Sequence, residues 1–239
     1  MNTTKLSVKK ILIPTGLALL LIIGVICYIR PNLNAPKLPP TELAQTAIDN
    51  LLAAESLCFN TQSCLLLGDE EMQLGDIHGE INGSDYHING EVLGTPMDLY
   101  QIGTKTYRQD TLTDQWLVLE DQAMLNQEAL LSDINPRAAF QLTGILNVSE
   151  AETENVAEEK CYKLTFEPQT ASGYYEKYFA SLTYTIWVTL DDHQLRQAQI
   201  NASASANNIQ STLQITTDFW DWNNTPPIEA PVIEETATY

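Results

Sequence analysis

The pattern of apolar and polar positions divides the chain into three parts. Residues 11–29 contain no charged side chain, and a helix of these 19 residues would be about 28 Å long at ~1.5 Å per residue. This length matches the hydrocarbon core of a bilayer, so it predicts a transmembrane anchor after a cytoplasmic tail of residues 1–10. Four prolines in residues 30–40 predict a stiff linker. The chain then predicts a folded domain over 41–227 and a flexible tail over 228–239.

The charges that flank the apolar segment predict its orientation. Lys5, Lys9 and Lys10 precede it and only Arg30 follows it, which favours a cytoplasmic N-terminus and an extracytoplasmic domain. A cleaved signal peptide is one alternative, but the apolar core of such a peptide is usually shorter, ~7–15 residues. Lipidation of Cys27 is the other, and the isoleucine before it is not the small residue expected there. The sequence therefore favours a single-pass anchor in the cell membrane.

The first element of the domain is an amphipathic helix over residues 41–56. Thr41 occupies the position of an N-cap. Apolar residues then recur with the 3.6-residue period of a helix, and polar residues occupy the opposite side. The predicted buried stripe consists of Leu43, Ala44, Ala47, Ile48, Leu51 and Leu52.

From about residue 57 the pattern changes to the two-residue period of strands. Short alternating runs are separated by turn sequences rich in Gly, Asn, Asp and Thr, which predicts an antiparallel meander. Short helical stretches are predicted at 122–131, 136–142 and 174–179. The clearest hairpin has an apolar face on its first strand, a turn at 191–194 and a return strand from Leu195 to Ala206. The apolar face consists of Tyr184, Ile186, Val188 and Leu190.

The charge of the chain restricts its partners. It carries 12 Lys and Arg against 31 Asp and Glu, a formal net charge of −19, and its first acidic residue is Glu42. Such an acidic domain repels phosphate backbones, so nucleic-acid binding is excluded as a function. Unassisted docking on anionic lipid headgroups is disfavoured for the same reason. A basic envelope protein is the charged partner that the composition favours.

Four cysteines leave the disulfide pairing open. Cys27 lies in the predicted anchor, and the domain contains Cys58, Cys64 and Cys161. Three cysteines allow one disulfide in any of three pairings, or three free thiols. The Cys58–Cys64 pairing is favoured because it closes the shortest loop.

One short motif deserves comparison with a catalytic site. The sequence from Gly75 to Gly79, GDIHG, resembles the first metal-ligand motif of calcineurin-like metallophosphoesterases, in which Asp76 and His78 would be ligands. The later motifs of that family, which complete its two-metal centre, are absent. The motif is therefore interpreted as part of an exposed antiparallel strand. Nucleophile and phosphate-loop motifs are also absent, so the sequence predicts no catalytic residue, no metal site and no cofactor.

Three longer segments carry a resemblance to a family. They follow the amphipathic helix and read TYRQDTLTDQWLVLE, YTIWVTLDDHQLRQAQI and STLQITTDFWDWNNTPPIEAP. The order of elements over residues 41–230 resembles the LolA/LolB-like lipoprotein carriers, including mycobacterial glycolipid-binding lipoproteins. The resemblance implies an α+β fold in which an open, curved antiparallel sheet, a half-barrel, carries short helices on its concave side. It also implies a cavity for acyl chains and no catalytic residues.

The sequence thus favours a membrane-tethered extracytoplasmic binding module for a lipid, a lipoprotein acyl chain or another apolar ligand. Apolar residues of the predicted short helices are the candidates for contact with this ligand, and ordinary core packing is their alternative role. The alternative function is an acidic protein-interaction or sensor ectodomain without a cavity. The candidate ligand residues are Leu130, Phe140, Tyr174, Tyr175, Tyr178 and Phe179.

Overall fold

An antiparallel sheet is the main element of the computed structural model, which describes residues 38–68, 70–120, 135–170, 179–206 and 209–233. These residues form helices α1 (Pro40–Ala53) and α2 (Pro136–Ala139) and twelve strands. The strands are β1 (Ser56–Leu67), β2 (Glu70–Asn82), β3 (Asp85–Val92), β4 (Thr95–Ile102), β5 (Lys105–Gln109), β6 (Trp116–Glu120), β7 (Leu142–Leu146), β8 (Glu152–Val156), β9 (Glu159–Thr170), β10 (Ser181–Thr189), β11 (Leu195–Ala206) and β12 (Ile209–Trp220).

The predicted tail 1–10, the predicted anchor 11–29, nearly all of the predicted linker and the predicted helix 122–131 lie outside the described residues. Within the described part of the chain, no helix has the length and apolar character needed to cross a membrane.

The sheet consists of two meanders that meet at its centre. Its strand order is β6-β5-β4-β3-β2-β1-β12-β11-β10-β9-β7, and β8 pairs with β9. The first and last strands of the domain are therefore neighbours, in a register that places Cys58 opposite Trp220 and Cys64 opposite Gln214. The order ends at β6 and β7, so the sheet is open, which confirms the predicted open antiparallel sheet.

Helix α1 packs on the sheet through the predicted stripe. Leu43, Ala44, Ala47, Ile48 and Leu51 are buried, whereas Leu52 is exposed. The prediction of Thr41 as N-cap is wrong: the helix begins at Pro40, Pro39 is the cap residue, and no side chain caps the helix. Proline suits the first helical position because its missing N–H would have no partner there. The helix ends at Ala53, before the predicted Ser56, because Ser56 already pairs with Asn82 in the sheet.

One face of the sheet, here called the inner face, forms the core together with both helices. The predicted hairpin of β10 and β11 is confirmed, and Tyr184, Ile186 and Val188 of its first strand are buried. The core cluster comprises residues from both helices and from strands of both meanders. Its buried members all lie between Leu43 and Phe219, so residues 38–239 form a compact unit that contains its own core.

The favoured Cys58–Cys64 disulfide is wrong. Both residues lie on β1, where six extended residues at ~3.3 Å each place their Cα atoms about 20 Å apart. A disulfide needs Cα atoms within about 7 Å. Cys58, Cys64 and Cys161 are free thiols.

The segment after β12 is pinned to the start of β1. The Asn223 side chain accepts a hydrogen bond from the Glu55 amide at 2.8 Å, and the Asn82 side chain donates to the Thr225 carbonyl at 2.8 Å. Thr225 is buried, and its amide donates to the Ser56 hydroxyl. These hydrogen bonds hold Thr225, which lies within the predicted folded domain and just before the predicted flexible tail of residues 228–239.

Candidate functional site

A cavity of about 180 Å³ lies between the inner face of β1–β3 and the start of α2. Its lining is apolar on the side of the sheet and polar at the β2–β3 turn and at α2. The lining residues are Phe59, Ile81, Gly83, Ser84, Tyr86, Ile88, Asn135 and Arg137. Phe59, Ile81, Tyr86 and Ile88 are buried, so the floor of the cavity is part of the core.

Gly79 on β2 makes room for the Phe59 ring in the cavity floor. A Cβ atom at Gly79 would lie 2.1 Å from Phe59 Cζ, so only a glycine lets the ring lie flat across β2. Gly79 is the last residue of the GDIHG motif, and its role here is packing. On β3, Gly90 has a φ of +142°, and a Cβ atom there would lie 2.1 Å from the Asp76 carbonyl oxygen. Both glycines are needed for the close packing of β1, β2 and β3.

Helix α2 closes one side of the cavity and is held there by directional hydrogen bonds. The Asn135 side chain caps the helix by accepting from the Arg137 amide at 3.0 Å, and Pro136 occupies the first helical position. Arg137 Nη2 donates to the Ala54 carbonyl at 2.6 Å, which links α2 to the end of α1. The Tyr184 hydroxyl donates to the Ala139 carbonyl at 2.9 Å, which links α2 to β10.

Arg137 brings a positive charge to a cavity whose floor is apolar. Its Nε is buried and has no hydrogen-bond partner. Among the residues that the structure describes, no carboxylate lies within 4.0 Å of its guanidinium. Burial lowers the pKa of Arg137, because removal from water disfavours the charged form.

The Tyr86 hydroxyl beside the cavity remains neutral. Burial raises the pKa of the Tyr86 hydroxyl above its ordinary range, and this hydroxyl donates to Gln101 Oε1 at 3.4 Å. The site therefore offers apolar contacts and one cation, and it is suited to binding.

Two further cavities lie at the far end of β2 and are polar. One, of about 460 Å³, lies beside the β2–β3 pair, and the other, of about 280 Å³, lies beside Cys64 and Glu71. Asp76 lines both, whereas His78 packs against Trp220 with ring centroids 5.5 Å apart. The described residues contain no group of three or more His, Cys, Asp or Glu that could hold a metal ion. The GDIHG segment lies in an antiparallel strand between β1 and β3, as interpreted from the sequence.

The structure places two of the six sequence-predicted ligand residues. Phe140 follows α2 and is buried against Tyr184, with ring centroids 5.5 Å apart, so it packs in the core next to the cavity. Phe179 is partly buried and precedes β10. The other four, Leu130, Tyr174, Tyr175 and Tyr178, lie outside the described residues, and their role in ligand binding stays a prediction.

Sequence reasoning missed the residues that line the described cavity. Phe59 and Ile81 belong to strands whose alternation predicts burial but not a void. Arg137 was the one residue with a usable signal, because it is the only charged residue in the predicted helix 136–142, close to the apolar residues Ala139 and Phe140. Such an isolated charge on an apolar face indicates either a specific partner or a ligand contact.

Comparison with known proteins supports the fold through structure alone. No protein-family model matches the chain, and no curated protein matches its sequence. The crystal structure of lipoprotein LppX from Mycobacterium tuberculosis superimposes with a TM-score of 0.53 at 14% identity, over 80% of this chain and 98% of that one. LprF from Mycobacterium bovis superimposes with a TM-score of 0.55 at 11% identity, over 82% of this chain and 99% of that one.

A LolA superfamily protein from Nitrosomonas europaea aligns over 80% of this chain, with 12% identity and a TM-score of 0.34. The sequence resemblance included the mycobacterial lipoproteins, and the superpositions on LppX and LprF confirm it at the level of the fold. The chain therefore shares the fold of these two mycobacterial proteins.

Proposed function

We propose that this protein is a membrane-tethered extracytoplasmic module that binds a lipid, a lipoprotein acyl chain or another apolar ligand. The observation that carries the proposal is the cavity between the inner face of β1–β3 and α2. Its floor of Phe59, Ile81, Tyr86 and Ile88 offers the nondirectional contacts that an acyl chain needs. The sheet would curve around this ligand as a half-barrel.

The size of the cavity indicates how the ligand would be accommodated. Its volume of about 180 Å³ is below the ~300–1,000 Å³ of typical ligand pockets, so it accepts the end of a chain. A larger ligand requires α2 to move away from the sheet. Such a movement breaks the hydrogen bonds from Arg137 to Ala54 and from Tyr184 to Ala139. These two hydrogen bonds therefore oppose the uptake of a longer chain.

The tether and the compartment follow from the N-terminal sequence. Residues 11–29 would anchor the chain in the cell membrane, and the lysines before them would keep the N-terminus in the cytoplasm. The superposition on LppX, which is a lipoprotein, supports an envelope location for the domain. A tethered domain would bind its ligand close to the membrane surface.

Binding of the fluorescent probe N-phenyl-1-naphthylamine to Leu38–Tyr239 tests the proposal. Native mass spectrometry of the same protein from a bacterial export fraction tests for a lipid that co-purifies. We expect saturable fluorescence and a mass adduct that disappears on organic extraction. A protein that binds no probe and no added lipid would contradict the proposal.

A matched pair of turn variants shows whether the probe enters this cavity. Ser84 lies at the cavity and follows Gly83 in the β2–β3 turn, and Thr104 follows Gly103 in the β4–β5 turn. Both side chains are exposed. We expect Ser84→Phe to weaken probe binding by obstructing the cavity and Thr104→Phe to leave it unchanged. If the two variants affect probe binding equally, the probe binds outside this cavity.

A second candidate function is recognition of a basic envelope protein by the face opposite the inner face. On this outer face the His87 ring stacks on Tyr100 at 3.9 Å, and Trp116 lies edge-on to Tyr100 at 5.4 Å. Asp98 Oδ1 lies 2.9 Å from His87 Nε2, so half-exposed aromatic rings adjoin a carboxylate. A partner that this face retains at low salt, and that Asp98→Asn releases, would favour this function.

A further inference from the structure

Arg137 is a half-buried cation whose guanidinium lacks a full set of partners. Its Nη2 donates to the Ala54 carbonyl, but its Nε is buried without an acceptor. A buried polar group without a hydrogen bond, and above all a charged one, is costly in free energy. Native structures rarely keep such a group unless it has a role or an additional partner.

The partner that would complete this site has to be an oxyanion. A guanidinium carries only donors and a permanent positive charge, so it pairs best with a carboxylate or a phosphate. Three other lysine and arginine residues of the described part of the chain form ion pairs, and the partner of each is a glutamate: Lys105, Lys163 and Arg196. Arg137 differs from them in lining an apolar cavity with no such partner among the described residues. The complementary acceptor is therefore expected from a ligand.

The position of Arg137 determines where the charge of that ligand lies. The guanidinium is at α2, whereas Phe59, Tyr86 and Ile88 form the apolar wall on the sheet. A ligand that satisfies both parts of the site has an apolar chain and an anionic head. We propose that the ligand is an amphiphile whose chain lies against this apolar wall and whose oxyanion head pairs with Arg137. The inference rests on the proposed function and adds the chemical class of the ligand.

The acidic net charge of the protein does not prevent this pairing. At physiological ionic strength charges separated by more than about 8 Å are largely screened, so exposed carboxylates act weakly on the cavity. A charge-assisted hydrogen bond to the half-buried guanidinium is short-range and is screened less. The pairing therefore depends on the local donor at Arg137.

Laurate and dodecanol test this inference, because they have the same chain length and differ in the charge of the head. Competition of each amphiphile with N-phenyl-1-naphthylamine for Leu38–Tyr239 near neutral pH gives its dissociation constant. The ratio of the two dissociation constants measures the preference for an anionic head. We expect laurate to bind about tenfold more tightly or better, the effect of one hydrogen bond to a charged group. Arg137→Gln should reduce the ratio to about one, and Arg137→Lys should keep part of the preference.

Arg108→Gln is the matched control. It removes the same charge from an exposed position on β5 that does not line the cavity, and it should keep the full preference for laurate. Circular dichroism verifies that each variant is folded. If Arg137→Gln is unfolded, the comparison of Arg137→Lys with the unchanged protein still reports on the pairing.

The possible outcomes separate this inference from the proposed function. Equal affinities for laurate and dodecanol, or a preference that survives Arg137→Gln, would overturn the anionic head while leaving apolar binding intact. Failure of the probe and of both amphiphiles to bind would overturn the proposed function and this inference with it. Inorganic phosphate is tested last, as an anion without an apolar chain. If it protects the protein against thermal unfolding as strongly as laurate does, the ligand is a free anion and the amphiphile is excluded.

Discussion

Replacement of Gly79 by alanine should destabilise the domain through Phe59. The new Cβ atom would lie 2.1 Å from Cζ, 2.3 Å from Cε1 and 2.8 Å from Cε2 of the Phe59 ring. The ring is fully buried, so it can move only by displacing core neighbours or by entering the cavity. Overpacking of this kind costs about 1–3 kcal/mol. Alanine also lowers the entropy of the unfolded chain, which stabilises the folded state by about 0.4–1 kcal/mol. We therefore expect the free energy of unfolding to fall by about 1–2 kcal/mol.

Gly75→Ala is the matched control for this experiment, because it places the same substitution on the same strand. The nearest atoms to its new Cβ would be Ser63 Oγ at 3.2 Å and the Glu91 carbonyl oxygen at 3.4 Å. A shift of a few tenths of an ångström accommodates this group, so we expect little change in the free energy of unfolding.

Urea denaturation of Leu38–Tyr239, followed by tryptophan fluorescence, measures both variants. A Phe59→Leu background should remove most of the cost of Gly79→Ala, because the aromatic ring that clashes is gone. The reasoning is refuted if Gly79→Ala is as stable as Gly75→Ala. It is also refuted if the cost of Gly79→Ala is the same with leucine at position 59.

Three further predictions concern α2 and the thiols. Tyr184→Phe should cost about 1–2 kcal/mol in urea denaturation, because it leaves the Ala139 carbonyl without its donor, whereas Tyr162→Phe, which changes another tyrosine of the core, should cost less. Burial raises the pKa of Cys161 to about 11 from an ordinary value of 9.0, so the folded state keeps a proton that the unfolded state loses. Stability should therefore fall as the pH rises between these two values, and Cys161→Ala should reduce the fall in a pH series of urea midpoints. Partly buried Cys64 should react with a thiol reagent before Cys161.

The local pattern of the sequence was sufficient for the elements with one buried face. The stripe from Leu43 to Leu51 reflects burial on one side of α1, which is a property of neighbouring residues. The alternation from Tyr184 to Val188 located β10, although Thr185 and Trp187 on its other side are buried as well. The start of α1 was misplaced because two consecutive prolines, Pro39 and Pro40, can serve as cap and first helical residue without any side-chain cap.

Features that depend on distant residues were not accessible in this way. Six residues of strand separate Cys58 from Cys64, so the disulfide prediction failed once both cysteines belonged to the same extended β1. The role of Gly79 depends on Phe59 across the β1–β2 pair, and the role of Arg137 depends on the Ala54 carbonyl, 83 residues away. The hydrophobic periodicity of the surrounding segment indicates neither contact. The cavity is the combined result of such contacts.

The pairing of β1 with β12 has a consequence for how the domain is made. Thr61 and Thr217 bond through their hydroxyls at the centre of the sheet, although 156 residues separate them in the chain. Each meander is built largely from hairpins between consecutive strands, which can form while synthesis proceeds, but the two meanders can join only after the last strand has been made. Until Trp220 has emerged, the edge of β1 that later meets β12 is unpaired, and such an edge invites aggregation. We therefore expect newly made chains to depend on a chaperone until the two halves pair.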